Sequence, residues 1–335
     1  MNEPAEIQRQ PQAKNVDVMK AAVLTAPRTI EIDEVAVPVP GADEVLIKLE
    51  GTGLCSSNIP VWEGRDWFSY PVAAGNPGHE GWGTVEQVGA NVTALQIGDR
   101  VSCLSYNAYA EYDIAKAEQV VKLPKSFAGK PFPGEPLGCA MNIFARSDIH
   151  QGQNVAIVGA GFLGLLLVQL CKSAGANVIA ISQRDFSLEA ANTVGADHLI
   201  KMDDHYEIIN KVTELTGGQL CERVIEVTGK EWPLNLSIEL TAERGKLIVA
   251  GFHQDGMRSV NMQMLNWRGI DLISAHERDP KQYIKGIQDA IVAIENQKMD
   301  PFPLYTHQLP LGSAAEAFEI LASRPDGFIK ALIIN

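Results

Sequence analysis

Residues Asn154–Gly175 read NVAIVGAGFLGLLLVQLCKSAG, and the parsing of this stretch decides the fold. NVAIV is an apolar run of strand length, FLGLLLVQLCKS an apolar run of helix length, and glycines punctuate both. Gly159, Gly161 and Gly164 stand in G-x-G-x-x-G spacing between and within them. Alone that spacing is weak, but between a strand and the helix it opens it has a physical role. The first glycine makes the turn, the second lets a pyrophosphate reach the backbone, and the third packs helix on sheet. The helix N-terminus then offers amide donors and a positive dipole end. In this setting a dinucleotide-binding turn is a better reading than a glycine-rich packing turn.

The alternation continues downstream. NVIAISQ is a second strand, SLEAANTVGA a second helix and HLI a third strand, and RVIEVTG, GKLIVAGF and DLISAHE extend the series. That rhythm predicts an α/β doubly wound parallel sheet. An NAD site usually carries an acid at the end of the second strand, about 20 residues on, to hold the ribose hydroxyl. Ser182 stands there, followed by Gln183 and Arg184. A missing acid removes repulsion against a 2′-phosphate, and an arginine can pair with one, so these residues favour NADP over NAD. The opposing reading leaves Arg184 solvated at a helix start and sets Asp185 on the ribose in a shifted register.

Upstream, from Lys20 to about Leu123, KAAVLTA, EVLIKLEGTG, GTVEQVG, DRVSCL and YAEYDIA read as strands of an all-β module resembling a partly open barrel. Within it GNPGHEGWGTV, Gly75–Val85, sets His79 beside Glu80 among glycines. Cys55 lies in a turn after a strand, and Glu135 just before the dinucleotide-binding segment. One thiolate, one imidazole and one or two carboxylates suit a catalytic zinc that keeps a position open for substrate. Singly, an exposed His-Glu pair or a buried cysteine is commonplace, and the reading rests on the set. A thiolate with two carboxylates outweighs Zn²⁺ by one negative charge, which is costly once desolvated. One of Glu80 and Glu135 is therefore expected to hold the metal weakly.

A length of 335 residues suits two domains. With 46% hydrophobic and 21% charged residues the composition is ordinary for a globular chain, and no apolar run reaches membrane-spanning length. A net charge of -13 argues against nucleic acid, whose phosphates need a basic face. The 5 cysteines are odd in number and form no C-x-x-C pair, which disfavours a disulfide scaffold and fits a reducing compartment. MNEPAEIQRQPQAKNVDV has no apolar core of a secretory signal and reads as a flexible tail, so a cytoplasmic location is expected.

GHEGWGTVEQVGANV, Gly78–Val92, resembles the signature of the zinc-containing medium-chain alcohol and polyol dehydrogenase (MDR) superfamily, and the likeness covers nearly the whole chain from Met19 on. The resemblance implies a GroES-like, partly open β-barrel catalytic domain over residues 19–145 and 291–335. It implies a Rossmann cofactor domain over 146–290, with the tail over 1–18. Cys55, His79 and Glu80 match metal-site positions. Glu135, 24 residues before Gly159, resembles the acidic ligand of the polyol and secondary-alcohol branches, whereas Cys139 reads as packing. Ser57 is implied to relay the alcohol proton, and Phe162 and Leu163 to cap the pyrophosphate. Thr228 and Phe252 are implied at strand ends beside the nicotinamide. Lys330 either reaches the pyrophosphate or is a solvated lysine on an edge strand. Trp62, Trp67 and Phe68 stand where such proteins build the substrate wall, a core or subunit-contact role suiting them equally.

The pattern also departs from the family. Only Cys103 follows GDRV, where a structural zinc lobe carries four cysteines, so one catalytic and no structural zinc is expected. Asn58 replaces an aspartate that orients the zinc histidine, and Pro60 a histidine that ends a proton relay. The implied activity is zinc-dependent hydride transfer between NADP(H), or NAD(H), and the carbinol or carbonyl carbon of an alcohol, polyol or sugar. A homodimer or homotetramer is implied, with GKLIVAGF and DLISAHE as contact edges, and with neither nucleic acid nor membrane as partner. The rivals are a zinc-free reductase of a quinone or enone, and a non-catalytic NADPH-binding protein. Cys55, His79 and Glu135 together speak against the former, while Asn58 and Pro60 favour the latter.

Overall fold

The computed structural model describes residues 17–335, so the expected tail lies outside the described residues except at its end, where Val18 already opens a strand. β1 (Val18–Ala26) and β2 (Thr29–Ala36) form an antiparallel ribbon. β3 (Glu44–Gly53), β4 (Gly81–Val88), β5 (Arg100–Cys103), β6 (Tyr112–Lys116) and β7 (Val120–Lys122) follow, with the short helix α1 (Ile59–Glu63) between β3 and β4. Alternation along β3 turns Val45, Ile47 and Leu49 onto Val85, Val101 and Ala115. The proline-rich connection ends sooner than its sequence suggests. α2 (Gly134–Ser147) starts right after Pro133 and carries Glu135 in its first turn, where the helix dipole favours a carboxylate.

The second half alternates as expected: β8 (Asn154–Val158), α3 (Phe162–Ser173), β9 (Asn177–Ser182), α4 (Asp185–Thr193), β10 (His198–Lys201), α5 (His205–Leu215), β11 (Cys221–Glu226), α6 (Glu231–Leu240), β12 (Thr241–Val249), α7 (Met262–Arg268) and β13 (Asp271–Ser274). The strands lie in the order β10-β9-β8-β11-β12-β13, all parallel. Val155–Val158 and Val178–Ile181 are buried without a break, as a sheet covered on both faces requires. The order reverses between β8 and β11, which opens a crevice at their carboxyl ends. GKLIVAGF is not an edge: it lies in β12, paired on both sides, and of the two expected contact segments only β13 borders the sheet.

The last stretch is more regular than its texture suggests. α8 (Pro280–Glu295) packs on α2 through Ile284, Ile287 and Ile291. The Asp279 carboxylate caps it by accepting from the Lys281 amide. β14 (His307–Pro310), α9 (Ala314–Ser323) and β15 (Ala331–Ile334) then return to the first sheet, whose order is β14-β15-β3-β4-β5-β7 with β6 on β3. β15 is thus an interior strand, and Lys330 beside it is buried rather than solvated on an edge. Among the described residues no helix is long and apolar enough to cross a membrane.

Candidate active site

β3 ends at Gly53 and runs into a 3-10 turn, Ser56–Asn58, with Cys55 at its start and Ser57 half-buried within it. The chain returns with His79 and Glu80 immediately before β4. Cys55 Sγ, a His79 ring nitrogen and a Glu80 carboxylate oxygen lie within 4.8 Å of one another. His79 Nδ1 is 2.9 Å from the Pro77 carbonyl, so Nδ1 donates there and Nε2 is the nitrogen turned to the cluster. Burial lowers the His79 pKa, but Cys55, Glu135 and Glu80 outweigh it and hold it up to about 10. Such a rise marks an excess of negative charge around the ring, the condition a divalent cation relieves. The Glu80 carboxylate is fully buried, and one of its oxygens belongs to this cluster. A thiolate, an anchored imidazole and a carboxylate fit Zn²⁺ with one position open.

Asn58 does not leave His79 unsupported. Its amide donates to the Pro77 carbonyl at 3.3 Å, and its oxygen accepts from the Tyr109 hydroxyl at 2.7 Å. The carbonyl orients the histidine, and Asn58 braces the carbonyl, so no carboxylate is needed at position 58.

Lys330, read from the sequence either as reaching a pyrophosphate or as solvated on an edge strand, is buried against the metal cluster. Its Nζ donates to Glu80 Oε1 and to the Leu54 carbonyl, each at 2.8 Å, and lies 2.6 Å from Glu80 Oε2. The physical reason is charge: Glu80 is fully buried, and a buried carboxylate needs a paired cation. With Lys330 counted, a zinc ion, one thiolate and two carboxylates balance. Gly53 supplies the room, because a Cβ there would stand 1.8 Å from Glu80 Oε2.

The two carboxylates are separated. Glu135 lies outside the Cys55–His79–Glu80 set, on the first turn of α2. It is still close enough to feel its neighbours: burial and the Glu80 charge raise its pKa, against the pull of His79 and Lys330. Cys139, one turn on, donates its thiol to Glu135 Oε1 at 3.3 Å, so it is a partner of this acid and not packing alone. Trp62 belongs to the core, 1% exposed and packed near Phe318, so it builds no substrate wall, while Trp67 and Phe68 are surface residues.

At the crevice, Gly159 adopts φ +113 and Gly161 caps α3. A Cβ on Gly164 would stand 2.0 Å from the Gly159 carbonyl oxygen, whereas one on Gly161 would meet nothing within 4 Å. Gly164 is therefore a packing requirement, and Gly161 faces open space. Gly161→Ala is expected to melt like the wild type and yet weaken dinucleotide binding about tenfold or more, since the methyl occupies the pyrophosphate approach. Gly164→Ala is expected to lose about 1–3 kcal/mol of stability by overpacking. Denaturant unfolding and nucleotide titration of both variants distinguish the two roles, and identical behaviour would refute the division.

The Phe162 ring is buried with its centroid 5.7 Å from that of Tyr305, and Leu163 packs against the same core. The first amides of α3 remain for a phosphate. Ser182 is buried at the end of β9, and Gln183 is exposed beside it. The Arg184 guanidinium donates to the Phe328 carbonyl at 2.6 Å, and Asp185 is paired with Lys201. Thr228 and Phe252 lie beyond the ends of β11 and β12, in loops and not on the strands. Phe252 is exposed and stacked on His276 with ring centroids 5.6 Å apart. The sequence reading missed Glu226, buried at the end of β11. It accepts from the Thr228 and Gly229 amides at 2.6 and 2.8 Å and from His253 Nε2 at 3.0 Å, and so shapes the loops around the crevice. Its signal was an acid set between the apolar residues Val224, Ile225 and Val227.

Two family descriptions match the chain: "Alcohol dehydrogenase GroES-like domain" over residues 41–125 and "Zinc-binding dehydrogenase" over residues 163–291. A sorbitol dehydrogenase of Halalkalibacterium halodurans is 28% identical over 340 residues, covering 91% of this chain and 96% of the relative. An L-threonine 3-dehydrogenase of Pyrococcus abyssi is 28% identical over 346 residues, covering 94% and 97%. Among solved structures, a zinc-binding dehydrogenase of Sinorhizobium meliloti bound to NADP aligns at a TM-score of 0.83 with 22% identity, covering 95% of this chain and all (100%) of that one.

Proposed function

The chain belongs to the zinc-containing medium-chain alcohol and polyol dehydrogenase superfamily, and from that premise we propose that it oxidises a polyol, sugar or secondary alcohol, or reduces the matching carbonyl, with NADP(H) in preference to NAD(H). It is an alcohol/polyol dehydrogenase that acts on a small molecule with zinc and a nicotinamide cofactor. The observation that carries the reading is the Cys55–His79–Glu80 cluster set beside a crevice of dinucleotide-binding topology.

In this reading Cys55, His79 and Glu80 hold one zinc, and among the described residues no second cluster of this kind occurs. Bound there, zinc supplies a Lewis acid for the substrate oxygen, and the nicotinamide exchanges the hydride. Lys330 and the Leu54 carbonyl keep Glu80 in place. The Ser57 hydroxyl would relay the substrate's proton, accepting it while passing its own on to water. Glu135 and Cys139 offer polar contacts to the further hydroxyls of a polyol. The same reading has the protein work in the cytoplasm as a homodimer or homotetramer, with the β13 edge and its exposed Leu272 as the contact.

Ser182, Gln183 and Arg184 support NADP, and the Asp185–Lys201 pair leaves Asp185 less free for a ribose. Arg184→Ala is expected to lower the preference for NADP over NAD about tenfold, measured as the ratio of kcat/KM values. An unchanged ratio would remove Arg184 from the argument. The function itself is tested by a screen of alcohols, polyols and sugars with both cofactors. Turnover of a polyol or secondary alcohol by zinc-loaded protein supports it. Reduction of a quinone or enone by zinc-free protein would transfer the chain to the metal-free reductases, and nucleotide binding with neither zinc nor turnover would leave a binding protein.

A further inference from the structure

Arg324 ends α9 with φ +46, a left-handed conformation that a residue other than glycine holds only at a cost. Its guanidinium donates to Ser56 Oγ at 3.0 Å, next to Cys55 of the metal cluster. In the same loop the Phe328 carbonyl accepts from Arg184, at the end of β9. The loop closes with Lys330, whose ammonium lies 5.1 Å from the ring centroid of Phe162, the first residue of α3. Residues 324–330 thus touch the metal site, the glycine turn and the second-strand end, the three points a bound dinucleotide must connect.

Burial depresses the Arg184 pKa, and the nearby Arg324 charge adds to this while the Asp326 carboxylate opposes it. Among the described residues neither guanidinium has a carboxylate at ion-pair distance. Two neighbouring cations from opposite halves of the chain, each with donors to spare, form a place for an oxyanion. We propose that Arg324 joins Arg184 in binding a phosphate of the dinucleotide, so that the cofactor ties the β-barrel half to the doubly wound half. The proposal rests on the dehydrogenase reading.

The test is titration of the zinc-loaded full chain with NADPH and with NADH, followed by nicotinamide fluorescence, for wild type and Arg324→Gln. Zinc content and melting temperature are measured alongside. Arg324→Gln is expected to weaken NADPH binding about ten- to hundredfold, the usual worth of a charged hydrogen bond. A loss confined to NADPH identifies the 2′-phosphate as the partner, and an equal loss for NADH identifies the pyrophosphate; either upholds the proposal. Unchanged affinity for both nucleotides in folded, zinc-loaded protein overturns it. Should the glutamine variant not fold, Arg324→Lys keeps the charge but loses the planar fork and is expected to weaken binding severalfold, with unchanged affinity again overturning the proposal. A wild type that binds neither nucleotide would instead overturn the dehydrogenase reading and carry this proposal down with it.

Discussion

Cys55→Ser protein, purified without chelator, is expected to carry almost no zinc where the wild type carries about one per chain, and to lose turnover by about a thousandfold or more. Cys55 is the one thiolate of the cluster, and a serine hydroxyl at the same place stays neutral and binds zinc poorly. The loss also removes one of the negative charges that raise the His79 pKa, so the variant site attracts any cation less strongly. Elemental mass spectrometry gives the metal content, and the alcohol and polyol screen gives the turnover. Chelated wild type should regain activity when zinc is restored, and Cys55→Ser should not. A variant that retained both zinc and turnover would show that the metal sits elsewhere.

Lys330→Met is expected to destabilise the zinc-free protein by about 3–5 kcal/mol, because it strands the Glu80 carboxylate in the interior without a partner. The double variant Lys330→Met, Glu80→Gln is expected to recover most of that loss, since no buried charge is then left unpaired. Zinc should also narrow the gap between Lys330→Met and wild type, as the ion supplies positive charge beside Glu80. Urea unfolding of wild type, Lys330→Met and the double variant, with and without zinc, measures these effects. A loss under about 1 kcal/mol for Lys330→Met would mean that water solvates Glu80 and that the ion pair is incidental.

Local patterns announced most of the architecture. The apolar run Asn154–Val158, the glycine turn and the helix Phe162–Ser173 are contiguous, so each piece is decided by neighbours a few residues away. The same holds for the strands around the GHEG stretch and for the cysteine turn after β3. The long helix α8 escaped because its buried stripe, Ile284, Ile287 and Ile291, is set among polar residues and interrupted by Gly286, so its texture resembles a loop.

By itself the sequence determined which chemistry is present: a thiolate, an imidazole and carboxylates near a barrel, and a glycine turn at the head of a parallel sheet. Only the tertiary structure decided how those groups are paired. Lys330 reaches Glu80 across 250 residues, Arg324 reaches Ser56 across 268, and Tyr109 reaches Asn58 across 51. The first of these depends on β15 lying antiparallel to β3, with Leu332 opposite Gly53. Periodicity shows which face of a strand is buried, but it does not show which distant strand comes to cover it. The separation of Glu80 from Glu135, and the cation that balances them, follow from that pairing, because charge balance in a buried site is a property of everything packed around it.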